Sequence, residues 1–297
     1  MTSTSMKSIG HFAFRDTGAP AEKEYTTLVL LHGFAWHSGV FARMLPYTGP
    51  NARIILVNRR DYPGSSSISD AERAPLDSAN ASDPEGAQTI GTYMKERAQD
   101  FHDFLEALVV EEQIPPCSMV VADPPYHAIG YPPPNDFYNP LTHPSLPPGE
   151  GVKLFPAWVS GYYLHGDSPS LLEHRIALED PKPTILSMSS DDLQDSLFNA
   201  PAIPGGSDDV LMHAGIRHGL WSAIREGALY IPVSGDARES DWDGIELRYI
   251  WCDQSVWEMP WGTWALQAEL DNAKNSGRPL RNISLTRLTG ANHFVSR

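Results

Sequence analysis

Two polar side chains near the C-terminal end of the chain each follow a predicted β-strand. Asp253 comes after the strand pattern Ile245–Trp251, and His293 comes after the pattern Asn282–Leu288. Because the carboxyl ends of parallel strands lie at one edge of a sheet, we expect these side chains to meet there. An imidazole with a carboxylate acceptor at Nδ1 can act as a general base. Each residue alone also fits an ordinary loop position, whereas together they predict a base and its orienting acid.

The elements that must position these residues alternate between short apolar runs and helical patterns, which is typical of parallel βαβ units. The clearest helix is predicted from Gly86 to Glu112, where apolar residues recur at three- and four-residue steps. Shorter helices are predicted around Val40–Leu45 and near Trp261–Asn275. The predicted strands are Thr27–Leu31, Arg53–Val57, Met119–Ala122, Ile245–Trp251 and Asn282–Leu288. We expect the first of these strands to be buried on both faces of the sheet.

A proline-rich segment separates the two halves of this pattern. Residues 131–235 combine loops such as Tyr131–Pro134 with short helical patterns at Leu154–Leu164 and Val210–Ala228. We therefore predict an inserted helical lid at 131–235, and an α/β core formed by 1–130 and 236–297. The aromatic side chains of the insert are expected to pack within it: Phe137, Tyr138, Trp158, Tyr162 and Tyr163.

Composition excludes several classes of function. A chain of 297 residues with 41% hydrophobic residues can bury one large core. Its net charge of −15 argues against nucleic acid and anionic membranes as partners. Two cysteines, Cys117 and Cys252, do not make a disulfide scaffold, and no apolar run approaches the length of a membrane span. We expect an intracellular, cytoplasmic protein that binds no metal, since no His-Glu-x-x-His motif occurs. The sequence predicts no oligomeric state.

Five segments resemble the α/β-hydrolase superfamily over nearly the whole chain. Leu28–Phe34, Asn58–Ser65 and Gly290–Phe294 carry the general likeness. Asp123–His127 and Gly130–Pro134 are similar to fungal members associated with secondary-metabolite and toxin pathways. The resemblance implies a mostly parallel sheet flanked by helices, with an inserted lid. It also implies an esterase, lipase or thioesterase-type hydrolase or an acyl transferase that needs no cofactor. The implied substrate is a small, largely apolar acyl or carbonyl compound.

The resemblance also implies roles for individual residues. His293 would be the general base, and Asp253 its orienting acid. The backbone N–H of Phe34, together with Gly33, would donate hydrogen bonds to an oxyanion. Three further side chains are expected to contact the substrate: His32, Trp36 and Tyr126.

The family's nucleophile motif, Gly-x-Ser-x-Gly, does not occur anywhere in the sequence. Between Ile114 and Met119 there is no room for the strand, turn and helix that carry it, so one central strand–helix unit is expected to be missing. Asp123 is a candidate substitute nucleophile, but Pro124 after it lacks the N–H that an elbow uses as an oxyanion donor. Ser65 is a second candidate, although a run of serines lacks the strained turn that aims a nucleophile at its base.

Two other kinds of function stay open. Without a nucleophile, the chain could be a catalytically impaired relative or a truncated product that binds a ligand. It could also be a lyase or isomerase, which needs only the base, its orienting acid and hydrogen-bond donors. The missing unit is further expected to expose sheet edges and to lower solubility or stability.

Overall fold

The computed structural model describes residues 5–21, 24–47, 49–78, 84–114, 119–231 and 246–295. Within these ranges the strands are β1 (Lys7–Ile9), β2 (Phe12–Asp16), β3 (Thr26–Leu31), β4 (Ala52–Asn58), β5 (Met119–Ala122), β6 (Leu247–Cys252) and β7 (Ile283–Leu288). The α-helices are α1 (Asp70–Ser78), α2 (Pro84–Glu111), α3 (Glu150–Val159), α4 (Ser190–Gln194), α5 (Ser207–Arg217), α6 (Leu220–Leu229) and α7 (Glu258–Ser276). Short 3₁₀ helices occupy Ser38–Tyr47, Tyr126–Ile129, Pro169–Leu171 and Thr184–Ser187.

The chain divides into two compact units. Unit 1 comprises Met1–Cys117 and Ser189–Leu220, and unit 2 comprises Ser118–Met188 and Trp221–Arg297. The predicted insert 131–235 therefore contributes residues to both units, and its boundary at 235 and 236 lies outside the described residues. The boundaries of the lid stay a prediction.

Unit 1 contains a mixed sheet with the strand order β1-β2-β4-β3. β3 and β4 are parallel, as predicted, whereas β1 and β2 form an antiparallel hairpin that the sequence patterns did not predict. Helix α2 packs on this sheet through Phe104 and Leu108, which contact apolar side chains of β2 and β4. After β4, Arg59 and Tyr62 donate hydrogen bonds to Asp208, and these bonds tie the start of α5 to the end of the strand.

The predicted burial of the first apolar run on both faces is wrong. Leu28 is 37% exposed and Leu31 is 39% exposed, because β3 is the outer strand of its sheet. Within the described part of the chain, β3 pairs only with β4. A strand that pairs on one side leaves backbone groups and neighbouring side chains uncovered.

Unit 2 contains a parallel sheet with the order β5-β6-β7. The three strands confirm the predicted patterns, although β6 begins at Leu247 and Ile245 lies outside the described residues. Helix α7 packs on this sheet through Leu266 and Leu270, which contact Leu247 and Tyr249. A second apolar cluster contains Trp158 and Tyr163 from the predicted insert together with Trp257 and Met259, so these aromatic side chains do not pack within the insert alone, contrary to the prediction from the sequence.

The helix predicted at Val210–Ala228 is two helices. α5 ends at Arg217 and α6 begins at Leu220, and between them Gly219 has φ +65°. This left-handed backbone conformation ends a helix, and glycine adopts it without steric cost.

The architecture is therefore α/β: strands form a mixed sheet in unit 1 and a parallel sheet in unit 2, with helices packed against each. None of the helices in the described ranges has the length and apolar character needed to cross a bilayer.

Candidate active site

Three polar residues of unit 2 lie beyond the carboxyl ends of its parallel strands. Asp123 follows β5 directly, Asp253 follows β6 directly, and His293 lies in the loop after β7. Asp123 is 1% exposed and has φ +45°, a left-handed conformation that a residue with a side chain rarely adopts. Such strain persists where the surrounding structure holds the residue in place, and it is common at functional sites.

The carboxylate of Asp123 accepts three hydrogen bonds. The backbone N–H of Cys252 donates to Oδ1 at 2.9 Å, and the hydroxyl of Ser255 donates to Oδ2. His293 Nδ1 lies 3.2 Å from the same Oδ2. Because an ionised carboxylate only accepts hydrogen bonds, Nδ1 of His293 carries the proton and Nε2 keeps its lone pair. This arrangement leaves Nε2 as the basic atom of the imidazole.

Asp253 does not pair with His293 as the sequence pattern predicted. Its Oδ1 accepts a hydrogen bond from the backbone N–H of Gly290 at 2.7 Å, and its Oδ2 accepts one from Arg287 Nε at 2.9 Å. Arg287 lies opposite Trp251 in the β6–β7 register, so its guanidinium is close to the residue that follows β6. The correction is that Asp123 is the carboxylate beside the imidazole, whereas Asp253 holds the start of the loop that carries it.

Asn292 anchors this loop from the inside of unit 2. Its side chain is fully buried and donates from Nδ2 to the carbonyl of Ser160 at 2.6 Å and to Oγ1 of Thr184 at 2.7 Å. Its Oδ1 accepts a hydrogen bond from the backbone N–H of Phe294 at 3.1 Å. The next side chain, that of His293, is 31% exposed, so the anchored loop presents a partly accessible imidazole.

Ser255, which donates to the Asp123 carboxylate, is itself held in place by burial and by a hydrogen bond from a histidine. It is fully buried, and its carbonyl accepts a hydrogen bond from His165 Nε2 at 2.6 Å. His165 Nδ1 in turn accepts from the backbone N–H of Glu173 at 3.0 Å. Burial lowers the pKa of His165, which keeps this bracing imidazole neutral. The hydroxyl of Ser255 therefore orients Asp123 and is not placed to attack a substrate.

The contacts of Asp123 favour an orienting role over the substitute nucleophile considered from the sequence. A nucleophile faces the basic nitrogen of its histidine, but Asp123 contacts Nδ1. Its oxygens are also occupied by Cys252 and Ser255. Pro124 follows it, as noted above, and supplies no N–H.

Ser65, the other candidate nucleophile, uses its hydroxyl within unit 1. The hydroxyl donates to the carbonyl of Asn58 at 2.7 Å and accepts from the backbone N–H of Ala13 at 2.8 Å. These bonds tie the loop after β4 to β2. Both hydrogen-bonding functions of the hydroxyl are therefore used by the fold.

His32 is buried in unit 1 with both ring nitrogens bonded to backbone groups. Nε2 accepts from the N–H of Arg59 at 3.0 Å, so Nδ1 carries the proton that it donates to the carbonyl of Gly33 at 3.0 Å. Burial, assisted by the charge of Arg59, lowers the pKa of His32 to about 3 and keeps the ring neutral. His32 therefore has no ring nitrogen left for the substrate contact predicted from the sequence.

The remaining predicted residues are divided between the units. Gly33, Phe34 and Trp36 follow β3 in unit 1, where Trp36 pairs with Leu197. The oxyanion role of the Gly33 and Phe34 amides and the substrate contact of Trp36 stay predictions. Tyr126 belongs to unit 2 and stacks on Trp257, with ring centroids 5.4 Å apart and planes inclined by 26°. Burial raises the pKa of Tyr126, so its hydroxyl stays neutral.

Sequence reasoning missed the roles of Ser255 and Asn292, and it did not predict Asp123 as the carboxylate that contacts His293. For Asp123 a signal was present, because it follows a predicted strand just as Asp253 does. For Ser255 and Asn292 the sequence offers no comparable signal, since their partners depend on contacts between distant segments.

One group of side chains in the described residues brings three metal-ligating atoms within 4.8 Å of one another: His102, Asp103 and Glu106 on α2. Asp103 and Glu106 are exposed, as acidic residues on a helix surface usually are.

Comparison with solved structures finds chains that resemble this one at low sequence identity and low TM-score. An epoxide hydrolase from Vigna radiata is 13% identical, with a TM-score of 0.45, covering 99% of this chain and 93% of that one. A loop variant of a haloalkane dehalogenase from Bradyrhizobium elkanii is also 13% identical, with a TM-score of 0.45, covering 98% and 90%. A bromoperoxidase from Bacillus anthracis is 15% identical, with a TM-score of 0.39, covering 98% and 93%. Similarities at this level assign no activity. No family model and no curated protein sequence matches the chain.

Proposed function

We propose that this chain is an α/β-hydrolase-like enzyme that hydrolyses an ester or thioester of a small apolar acyl group. The observation that carries the proposal is the contact between His293 Nδ1 and the buried carboxylate of Asp123, which leaves Nε2 as a base. The sequence resemblance to fungal secondary-metabolite members supports an acyl or carbonyl compound of such a pathway as the substrate. In acyl transfer, an acceptor alcohol would take the place of water.

The proposed step uses water directly because the sequence lacks Gly-x-Ser-x-Gly and the hydroxyl of Ser255 is held by Asp123. His293 Nε2 accepts a proton from water while the water oxygen bonds to the acyl carbon. The resulting intermediate expels the alcohol or thiol, which takes the proton back from Nε2. The products are a carboxylic acid and the free alcohol or thiol, and Asp123 stabilises the imidazolium between the two proton transfers.

The experiment is a hydrolysis assay with p-nitrophenyl esters and acyl thioesters of two to eight carbons, using full-length protein. Replacing His293 by Ala is expected to lower the rate about 10²–10⁴-fold, the usual contribution of a general base. A rate unchanged in this variant would overturn the proposal. Because direct attack by water uses no covalent nucleophile, no labelling by a fluorophosphonate probe is expected. Labelling would instead indicate a covalent mechanism.

Acid–base chemistry without hydrolysis is the second candidate, because the same pair of residues serves a lyase or isomerase. It is favoured by the absence of the nucleophile motif from the sequence. Turnover of a carbonyl substrate that is lost in His293→Ala, together with no ester hydrolysis, would support it. A chain in which His293→Ala changes no activity would instead be a ligand-binding relative.

A further inference from the structure

The turn that follows β3 in unit 1 contains a residue in a strained backbone conformation. Ala35 has φ +63°, in the left-handed region that a residue with a Cβ rarely adopts. Such a conformation persists where the surrounding structure holds it. The same turn contains Gly33 and Phe34, whose amides the sequence resemblance predicts as oxyanion donors. The contacts of Ala35 and its neighbours therefore show what fixes these amides.

Two side chains from the loop after β4 bond to the backbone of this turn. The hydroxyl of Tyr62 accepts a hydrogen bond from the N–H of Ala35 at 3.1 Å. Arg59 Nη2 donates to the carbonyl of Gly33 at 2.9 Å. The carbonyl of Ala35 accepts from the backbone N–H of Phe198 at 2.9 Å. The residues on both sides of Phe34 are therefore held through their backbone groups.

Asp208, at the start of α5 in the same unit, fixes the two side chains that hold the turn. The hydroxyl of Tyr62 donates to Asp208 Oδ2 at 2.7 Å, and Arg59 Nη1 donates to Oδ1 at 3.0 Å. A hydroxyl has one proton, and that of Tyr62 is used by the carboxylate, so its oxygen faces Ala35 as an acceptor. Tyr62 is 2% exposed, so water does not compete for these bonds. The carboxylate of Asp208 thereby sets the direction of the hydrogen bond to the turn.

The N–H of Phe34 is the donor that these contacts leave over. Within the described ranges, no acceptor bonds it, although Phe34 is half-buried. A donor shielded from water without an acceptor is costly, so such groups are uncommon and call for an explanation. An amide that is held in place and has no acceptor can bind an oxygen atom of a ligand without reorganisation of the protein.

We propose that Tyr62, Arg59 and Asp208 are positioning residues that hold the turn so that the N–H of Phe34 donates to the oxyanion formed on an ester or thioester carbonyl. They touch the backbone of the turn and act on the reaction through it. The catalytic part of this inference rests on the proposed function, whereas the bonding of the turn by these side chains does not.

The first experiment is amide hydrogen–deuterium exchange followed by NMR in the full-length wild-type protein. After correction for intrinsic rates, the N–H of Ala35 is expected to exchange at least about 10-fold more slowly than that of Phe34, because only the former has an acceptor. A Phe34 amide as protected as that of Ala35 would show that it is already bonded and would overturn the proposal.

The second experiment removes the hydroxyl of Tyr62 and keeps its ring. In Tyr62→Phe the N–H of Ala35 is expected to exchange about 10-fold faster, while the amides of β4 keep their rates. The matched control is Tyr93→Phe, which changes another 2% exposed tyrosine of unit 1 and is expected to leave the Ala35 amide unaffected. An unchanged Ala35 rate in Tyr62→Phe, or equal acceleration of Ala35 and β4, would overturn the proposal.

The ester assay tests the catalytic part. Tyr62→Phe and Asp208→Asn are expected to lower kcat about 10–10²-fold with little change in KM, because the oxyanion forms only after the substrate has bound. A higher KM at unchanged kcat, or no change in either constant, would contradict the positioning role in catalysis. Absence of hydrolysis in the wild type, together with the expected exchange rates, would refute the proposed function and leave the bonding of the turn established.

Discussion

Replacing Asp123 by Asn tests which carboxylate orients His293. The variant keeps the shape of the side chain, and its Oδ1 can still accept from the backbone N–H of Cys252. In the wild-type protein, Oδ2 contacts Ser255 and His293 Nδ1. In the variant, the amide nitrogen takes the place of Oδ2. Because this nitrogen donates, Nδ1 must accept and the imidazole proton moves to Nε2. The base would then have no lone pair for water.

The magnitudes follow from the contacts that are lost. A hydrogen bond to a charged group contributes about 1.5–3 kcal/mol, and Asp123 is 1% exposed, so solvent does not replace it. We expect the free energy of unfolding to fall by about 2–3 kcal/mol, which lowers Tm by roughly 4–12 °C. For the proposed hydrolysis we expect a rate about 10²–10⁴-fold lower, since the proposed general base would be in the wrong tautomer.

Asp253→Asn is the matched control, because Asp253 was the partner predicted from the sequence. Its Oδ1 can still accept from Gly290, and the variant weakens only the ion pair with Arg287, whose side chain is 53% exposed. Such pairs contribute about 0.2–1 kcal/mol. Scanning calorimetry and the ester assay on both variants give the comparison. A larger loss of activity in Asp253→Asn than in Asp123→Asn would refute the assignment of the orienting acid.

Three further changes test the fold. In Arg53→Met, the buried carboxylate of Asp16 loses a bidentate partner at 2.9 and 2.6 Å, and urea unfolding should show a loss of about 3–5 kcal/mol. Burial opposes ionisation of Asp16, but the bonds from Arg53 outweigh it and lower its pKa. The stabilisation by this ion pair is therefore present above about pH 4 and is lost at lower pH. If the free energy of unfolding depended on pH equally in wild type and in Arg53→Met, this reasoning would be contradicted. Leu28→Lys places a charge on the outer strand β3, which should hinder association of molecules through this strand and reduce light scattering on storage. Unchanged scattering would argue against such association. Gly130→Ala should lower Tm by several degrees, since Gly130 has φ +72° and the new Cβ would lie 2.2 Å from the Ser222 nitrogen; an unchanged Tm would show that this contact relaxes freely.

Much of the secondary structure could be predicted from local patterns. The run Met119–Ala122 is a strand with the predicted bounds, and the long helix predicted from Gly86 to Glu112 is found at Pro84–Glu111. Apolar periodicity is a local property, so it survives without tertiary information. The β1–β2 hairpin was missed because its strands are short and their pairing depends on the turn at Gly10, which has φ +55°.

The candidate site could be predicted only in part. His293 and the use of strand ends follow from the order of elements along the chain. The order of elements does not show whether Asp123 or Asp253 contacts His293. That choice depends on Arg287, which donates to the Asp253 carboxylate, and on Ser255, which donates to the Asp123 carboxylate. These are contacts between segments far apart in sequence, and a residue's type does not reveal which of two nearby carboxylates a neighbouring cation will bind.

The most direct test of the account is the tautomer of His293, read from ¹⁵N NMR of its ring nitrogens at a pH where the imidazole is neutral. The account predicts a proton on Nδ1, facing Asp123, and an unprotonated Nε2. In Asp123→Asn the proton should move to Nε2. A wild-type imidazole protonated on Nε2, or a spectrum that Asp123→Asn leaves unchanged, would contradict the claim that Asp123 makes His293 a base.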